Sequence, residues 1–111
     1  MVFKVRVGEV SLSANGSGSL SIDIDAGKTF VIKKIAYSST GNFKITDIRD
    51  SATGEHYLSG TLYSDQLKES GGNILKLDDA IELRGPTKLT IDVTDTSGSA
   101  NTVSLAFYGA E

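Results

Sequence analysis

Along most of the chain, apolar and polar residues alternate with a period of two. Leu20, Ile22 and Ile24 are interleaved with Ser19, Ser21, Asp23 and Asp25; Leu89, Ile91 and Val93 with Lys88, Thr90, Asp92 and Thr94; Val103, Leu105 and Phe107 with Thr102, Ser104, Ala106 and Tyr108. Successive side chains of an extended backbone point to opposite sides, so each run predicts a strand with one dry and one wet face. Phe3, Val5 and Val7 alternate with Lys4 and Arg6 in the same way, and Val10, Leu12 and Ala14 continue the pattern beyond Gly8. Residues 29–37 are β-branched and aromatic, but their alternation slips at Lys33-Lys34. That slip predicts a bulge or a strand passing from one sheet to the other.

The remaining segments are less regular. Residues 42–48 form a strand with Phe43 and Ile45 on one face, and residues 55–63 another with a kink at Gly60. Residues 74–77 and 80–83 read as two short strands split by Asp78-Asp79, and residues 64–69 as a brief helical turn. Turn signals fall at Asn15-Gly16, Ala26-Gly27, Thr40-Gly41-Asn42, Thr53-Gly54, Gly71-Gly72-Asn73, Gly85-Pro86 and Ser97-Gly98. Their spacing of roughly ten to fifteen residues, with no amphipathic helix between strands, predicts an all-β, antiparallel sandwich of jelly-roll type with about eight strands. The expected organisation is one domain over residues 1–111.

Composition narrows the functional classes. There is no cysteine, which removes disulfides and thiolate metal sites. Net charge is −3 and the lysines and arginines are dispersed, so nucleic acid is not an expected partner. Lys33-Lys34 is the one adjacent basic pair, and on a regular strand its members point to opposite faces instead of forming a patch. The alternating opening residues lack the apolar run of a signal peptide, and no stretch has the length of a membrane span. Synthesis in the cytoplasm and no membrane partner are expected. Asn15-Gly16-Ser17 matches a glycosylation acceptor but reads as a turn.

Catalytic chemistry finds few components. His56 is the single histidine, no serine lies in a nucleophile elbow, and an ordinary strand or loop role is expected for it. One histidine without cysteine makes a poor zinc set. The carboxylate pairs Asp23/Asp25, Asp47/Asp50, Asp78/Asp79 and Asp92/Asp95 are expected on solvated strand faces, not across a hydrolytic cleft. The loop from Asp95 to Asn101 offers oxygens to calcium but lacks the EF-hand spacing, and a plain connection between strands accounts for it. Gly16 and Gly18 precede no helix, so they form a turn and not a phosphate loop. With no tryptophan, a sugar platform would rest on Tyr37, Tyr57, Tyr63 and Tyr108; Tyr108, out of phase with Phe107, is expected to face solvent or a partner. No catalytic, cofactor-binding or metal-binding residue is expected, and no cofactor.

The closing residues 89–109, LTIDVTDTSGSANTVSLAFYG, resemble the final hairpin of small jelly-roll virion proteins of tailed bacteriophages: an alternating strand, a Thr/Ser/Gly/Asn loop, and a second strand ending in glycine. Residues 26–32, AGKTFVI, are similar to the turn and strand that open such sandwiches, and the resemblance covers about two thirds of the chain in pattern. It implies a non-enzymatic structural protein, a capsid decoration protein or a tail or fibre component, that forms a homo-oligomer, contacts other virion proteins and ends in the virion. Sheet edges and an apolar or tyrosine-bearing face are the expected contacts. The alternative reading is a carbohydrate-binding module on the same architecture, with a glycan as partner; a cupin-like enzyme ranks below both for want of metal ligands.

Overall fold

A computed structural model describes residues 2–68 and 74–111, apart from the side chain of Asp78. Among the described residues eight strands follow one another: β1 Phe3–Leu12, β2 Ser17–Ile24, β3 Thr29–Ser39, β4 Phe43–Asp50, β5 Leu62–Tyr63, β6 Ile74–Arg84, β7 Thr87–Asp95 and β8 Asn101–Ala110. They form two four-stranded sheets, β1-β8-β3-β6 and β2-β7-β4-β5, with every pairing antiparallel. In this order the chain changes sheet between β1 and β2, β2 and β3, β3 and β4, β5 and β6, β6 and β7, and β7 and β8, which is the double Greek key of a jelly roll.

The alternating residues explain the sandwich. Leu20, Ile22 and Ile24 of β2, Leu89, Ile91 and Val93 of β7, and Val103, Leu105 and Phe107 of β8 are all buried, as are Phe30, Ile32, Phe43, Ile45 and Leu83. Each buried side chain of this size contributes about 1.5–3 kcal/mol relative to exposure, and together they hold the sheets face to face. The cysteine-free chain is therefore held by its apolar core.

Several expectations need correction. β1 runs unbroken through Gly8 and stops at Leu12, leaving Ala14 in the following turn. Residues 55–61 form no strand: His56 makes a single bridge to Arg49, and pairing resumes only at Leu62–Tyr63. Tyr57 and Leu58, adjacent in sequence, are both half-buried, which a flat alternating strand does not allow. β6 is continuous across Asp78-Asp79, which lie in an irregular stretch where residues 77–80 oppose Lys33 alone. The helical turn is a 3₁₀ turn, Ser64–Leu67, that buries Ser64 and Leu67. The expected turn at Gly71-Gly72-Asn73, together with Glu69, lies outside the described residues.

Candidate functional site

The outer faces of the two sheets differ in chemistry. On β2-β7-β4 the outward residues are polar: Ser17, Ser19, Ser21 and Asp23 pair across with Thr94, Asp92, Thr90 and Lys88, and these with Lys44, Asp47 and Arg49. They bond among themselves, Ser17 with Thr94 at 2.8 Å and Ser19 with Asp92 at 2.5 Å, while Arg49 reaches Asp92 at 2.6 Å and Asp47 at 3.3 Å. Water can cover such a face at no cost.

The outer face of β1-β8-β3-β6 changes character along its length. Its rows at one end are polar, Glu9 with Ser104 and Ser38, and Ser11 with Thr102. The other three are mostly apolar: Phe3, Ala110, Val31 and Glu82; then Val5, Tyr108, Lys34 and Lys76; then Val7, Ala106, Ala36 and Ile74. Phe3 is 71% exposed, Val7 60% and Ile74 43%. Four strands about 4.8 Å apart and three rows about 6.8 Å apart span roughly 400 Å² in projection, with nine of the twelve positions apolar or aromatic; apolar patches of a few hundred Å² are often functional.

Two sequence features create this face. In β1 the apolar positions are odd before Gly8 (Phe3, Val5, Val7) and even after it (Val10, Leu12), while pairing with β8 keeps one register throughout. Only the even set can face the core, so Phe3, Val5 and Val7 point out and Lys4 and Arg6 point in. The Arg6 guanidinium lies 5.8 Å from the Phe30 ring centre and bonds the Glu111 carboxylate at 2.5 Å, with Lys4 joining the same carboxylate at 3.3 Å. Arg6 and then Lys4 hold the Glu111 carboxyl below the usual carboxylate range.

The second feature is the bulge in β3. Register shifts between Ile32 and Lys34 against both β6 and β8, so Ile32 and Ile35 are buried while Lys33 and Lys34 are both exposed. The expected bulge is present; the expectation that the lysines diverge fails, because the extra residue takes both out of the core. With Phe3, Tyr108, Gly109 and Ala110 they line a shallow cavity of about 250 Å³ on the outer face. Tyr108 takes its expected outward position, its ring centre 6.4 Å from that of Phe3. Gly109 permits the crossing at the bulge, since a β-carbon there would lie 1.8 Å from the Val31 carbonyl oxygen.

The candidate chemical groups are used by the fold. Asp95, expected on a wet face or loop, is buried and accepts from the Asn15 and Gly98 amides at 2.9 and 3.0 Å, the Ser97 amide and hydroxyl at 3.0 and 2.6 Å, and Asn101 Nδ2 at 3.0 Å. The Ser97 hydroxyl first, then the amides and Asn101, drive its pKa far down. Five donors converging on one carboxylate make it the knot of the β7–β8 loop and leave little lone-pair capacity for a cation. Asp50 is buried too, accepting from the Ala52 amide at 3.0 Å and from the Thr87 hydroxyl. Placing these two aspartates on solvated faces was incorrect; each closes a turn. Asp23 and Asp25 are exposed as expected.

His56 is exposed, with Nδ1 3.0 Å from both Asp47 oxygens, and this contact leads the lowering of the Asp47 pKa. Among the described residues no serine bonds to His56, and no cluster of three metal-ligating side chains is found. The tyrosines make no row: Tyr37 packs edge-on against buried Phe43 at 5.3 Å, Tyr57 is half-buried, and Tyr63 and Tyr108 lie on different sheets.

No family model and no curated protein matches the chain. Among solved structures it is similar to the Drosophila NLP core, described for its pentamer formation and histone binding, at 16% identity and TM-score 0.44 over 97% of this chain and 98% of that one. The nucleoplasmin-like N-terminal domain of Drosophila FKBP39 gives 17% identity and TM-score 0.43 over 99% and 89%. The insecticidal delta-endotoxin Cry8Ea1 of Bacillus thuringiensis gives 14% and 0.48 over 93% of this chain but 19% of that protein. At these values the likenesses carry no functional argument.

Proposed function

We propose that this chain is a non-enzymatic structural protein that assembles with copies of itself, and that the apolar outer face of the β1-β8-β3-β6 sheet is covered in the assembly. The carrying observation is the contrast between the sheets: one presents serine, threonine and paired charges throughout, while one end of the other groups Phe3, Val5, Val7, Val31, Ala36, Ala106 and Tyr108 beside Lys34, Lys76 and Glu82. A chain that remained single would leave that second face in water, at about 25 cal/mol for each Å² of apolar surface that burial would remove.

Within this reading the role is that of a virion component of the kind tailed bacteriophages carry, a capsid decoration protein or a part of the tail or fibre. The resemblance of residues 89–109 supports it, as does a fold whose buried carboxylates and single histidine are occupied in holding turns and strand pairs. Size-exclusion chromatography with light scattering tests the assembly. A mass of at least two chains is expected, lowered by Ala106→Glu, which sets a charge in the middle of the apolar rows. A native protein that stays monomeric at high concentration overturns the proposal.

A further inference from the structure

The edge of β1 specifies how two copies meet. Val2 and Glu111 exchange both backbone hydrogen bonds, each at 2.9 Å. In an antiparallel ladder the exchanging pairs recur at every second residue, and β1 holds one register against β8. The residues that turn their N–H and C=O toward β8 are therefore Lys4, Arg6, Gly8, Val10 and Leu12. Phe3, Val5 and Val7 turn theirs away, along the open edge of the sheet, and the same three carry the apolar outward side chains.

Three further observations bear on this edge. Gly8 limits its length: a β-carbon there would lie 2.9 Å from Leu20 Cδ1 and 3.2 Å from the Ser21 carbonyl oxygen, so β2 closes against β1 at that point. Below it the strands diverge, leaving a groove of about 380 Å³ between Lys4–Val7 of β1 and Ser21–Asp23 of β2. Inward-pointing charges ordinarily guard an edge strand, but here Lys4 and Arg6 are both engaged by Glu111, and Asp23 lies across the groove from them. Asp23 is itself paired with Lys88 at 4.0 Å, so each charge bordering the groove has an opposite partner.

We infer that β1 pairs antiparallel with β1 of a second copy about a two-fold axis through Val5, joining two sheets into one of eight strands. This rests on the self-assembly proposed above. The open run from Phe3 to Val7 is centred on Val5, and antiparallel pairing about that centre opposes Phe3 with the partner copy's valine at position 7 and Val5 with its own counterpart. The outward N–H and C=O groups then fall in bonding register, giving about six backbone hydrogen bonds. The area argument favours the same arrangement. One copy's face, roughly 400 Å² in projection, is half of what a standard interface covers per partner, whereas the joined sheet offers roughly 800 Å² without a break.

The absence of native cysteine makes a direct test possible. Val5→Cys is brought opposite its own copy, at a Cα separation of about 5.5 Å that a disulfide spans. Mild oxidation is expected to convert most of Val5→Cys to a covalent dimer, while Thr46→Cys, on the polar sheet, stays uncrosslinked. Val5→Pro, which removes an N–H not used in pairing with β8, is expected to keep the native melting transition and halve the mass measured by light scattering. If Val5→Cys stays uncrosslinked while the native protein associates, the edge pairing is wrong and the assembly reading stands. If the native protein is monomeric at every concentration, both fall.

Discussion

At the scale of single residues, glycine and aspartate do the least visible work. Gly109 lets β8 cross the β3 bulge where no β-carbon fits, the nearest obstacle being backbone and not a side chain that could turn aside. Gly109→Ala is accordingly expected to cost about 3 kcal/mol, read as a lowered denaturant midpoint at unchanged m-value. Asp95 acts through its charge. Its folded pKa is depressed, as are those of Asp47, Asp92 and Glu111, so each contributes stability that is complete above the unfolded carboxylate value near pH 4 and is lost as pH falls through the folded pKa. A melting-temperature profile should be flat from pH 7 to about 5 and fall below about 4. Asp95→Asn should start lower at neutral pH and fall less steeply in acid. An equally steep fall in that variant would show that Asp95 contributes nothing to the acid limb.

At the scale of elements, the strands with a steady period were legible: β2, β7 and β8 bury the apolar residues their alternation predicts. Reading failed where tertiary context outweighs the local pattern. Asp78-Asp79 reads as a break because aspartate disfavours strands, yet an irregular stretch beside the β3 bulge carries it through a continuous β6. Residues 55–61 hold enough tyrosine and leucine for a strand but make one bridge, His56 to Arg49, in place of continuous pairing. The candidate face was half legible. The phase of Tyr108 places it outward; the outward set Phe3, Val5 and Val7 follows from the reversal of apolar parity at Gly8 in β1, a signal present in the sequence but decided only by a register without a bulge. Asp50 and Asp95 were illegible because their donors come from other parts of the chain or from turn geometry.

The β3 bulge yields a prediction at this scale. Deleting Lys33 leaves Ile32, Lys34 and Ile35 in plain alternation, so the shortened strand still buries both isoleucines. The deletion is expected to cost no more than about 1 kcal/mol. Deleting Ser21 instead sends Ile22 and Ile24 to the wet face, and unfolding of that variant is expected. Circular dichroism melts distinguish the two, and equal damage from both deletions would contradict the bulge.

At the scale of the molecule, the jelly roll sets a polar face on one sheet against a face on the other that is mostly apolar over its Phe3–Val7 end. β1 contributes to the second with both its side chains and its open backbone, which ties the face to the edge. The central claim, that this face is covered in the working state, is tested most directly by hydroxyl-radical footprinting of the native protein at high concentration. The account predicts that Phe3, Val5, Val7, Val31 and Tyr108 are labelled several-fold less than in the Ala106→Glu variant, while Tyr63 on the other sheet is labelled equally in both. Equal labelling of the apolar face in the two proteins would contradict it.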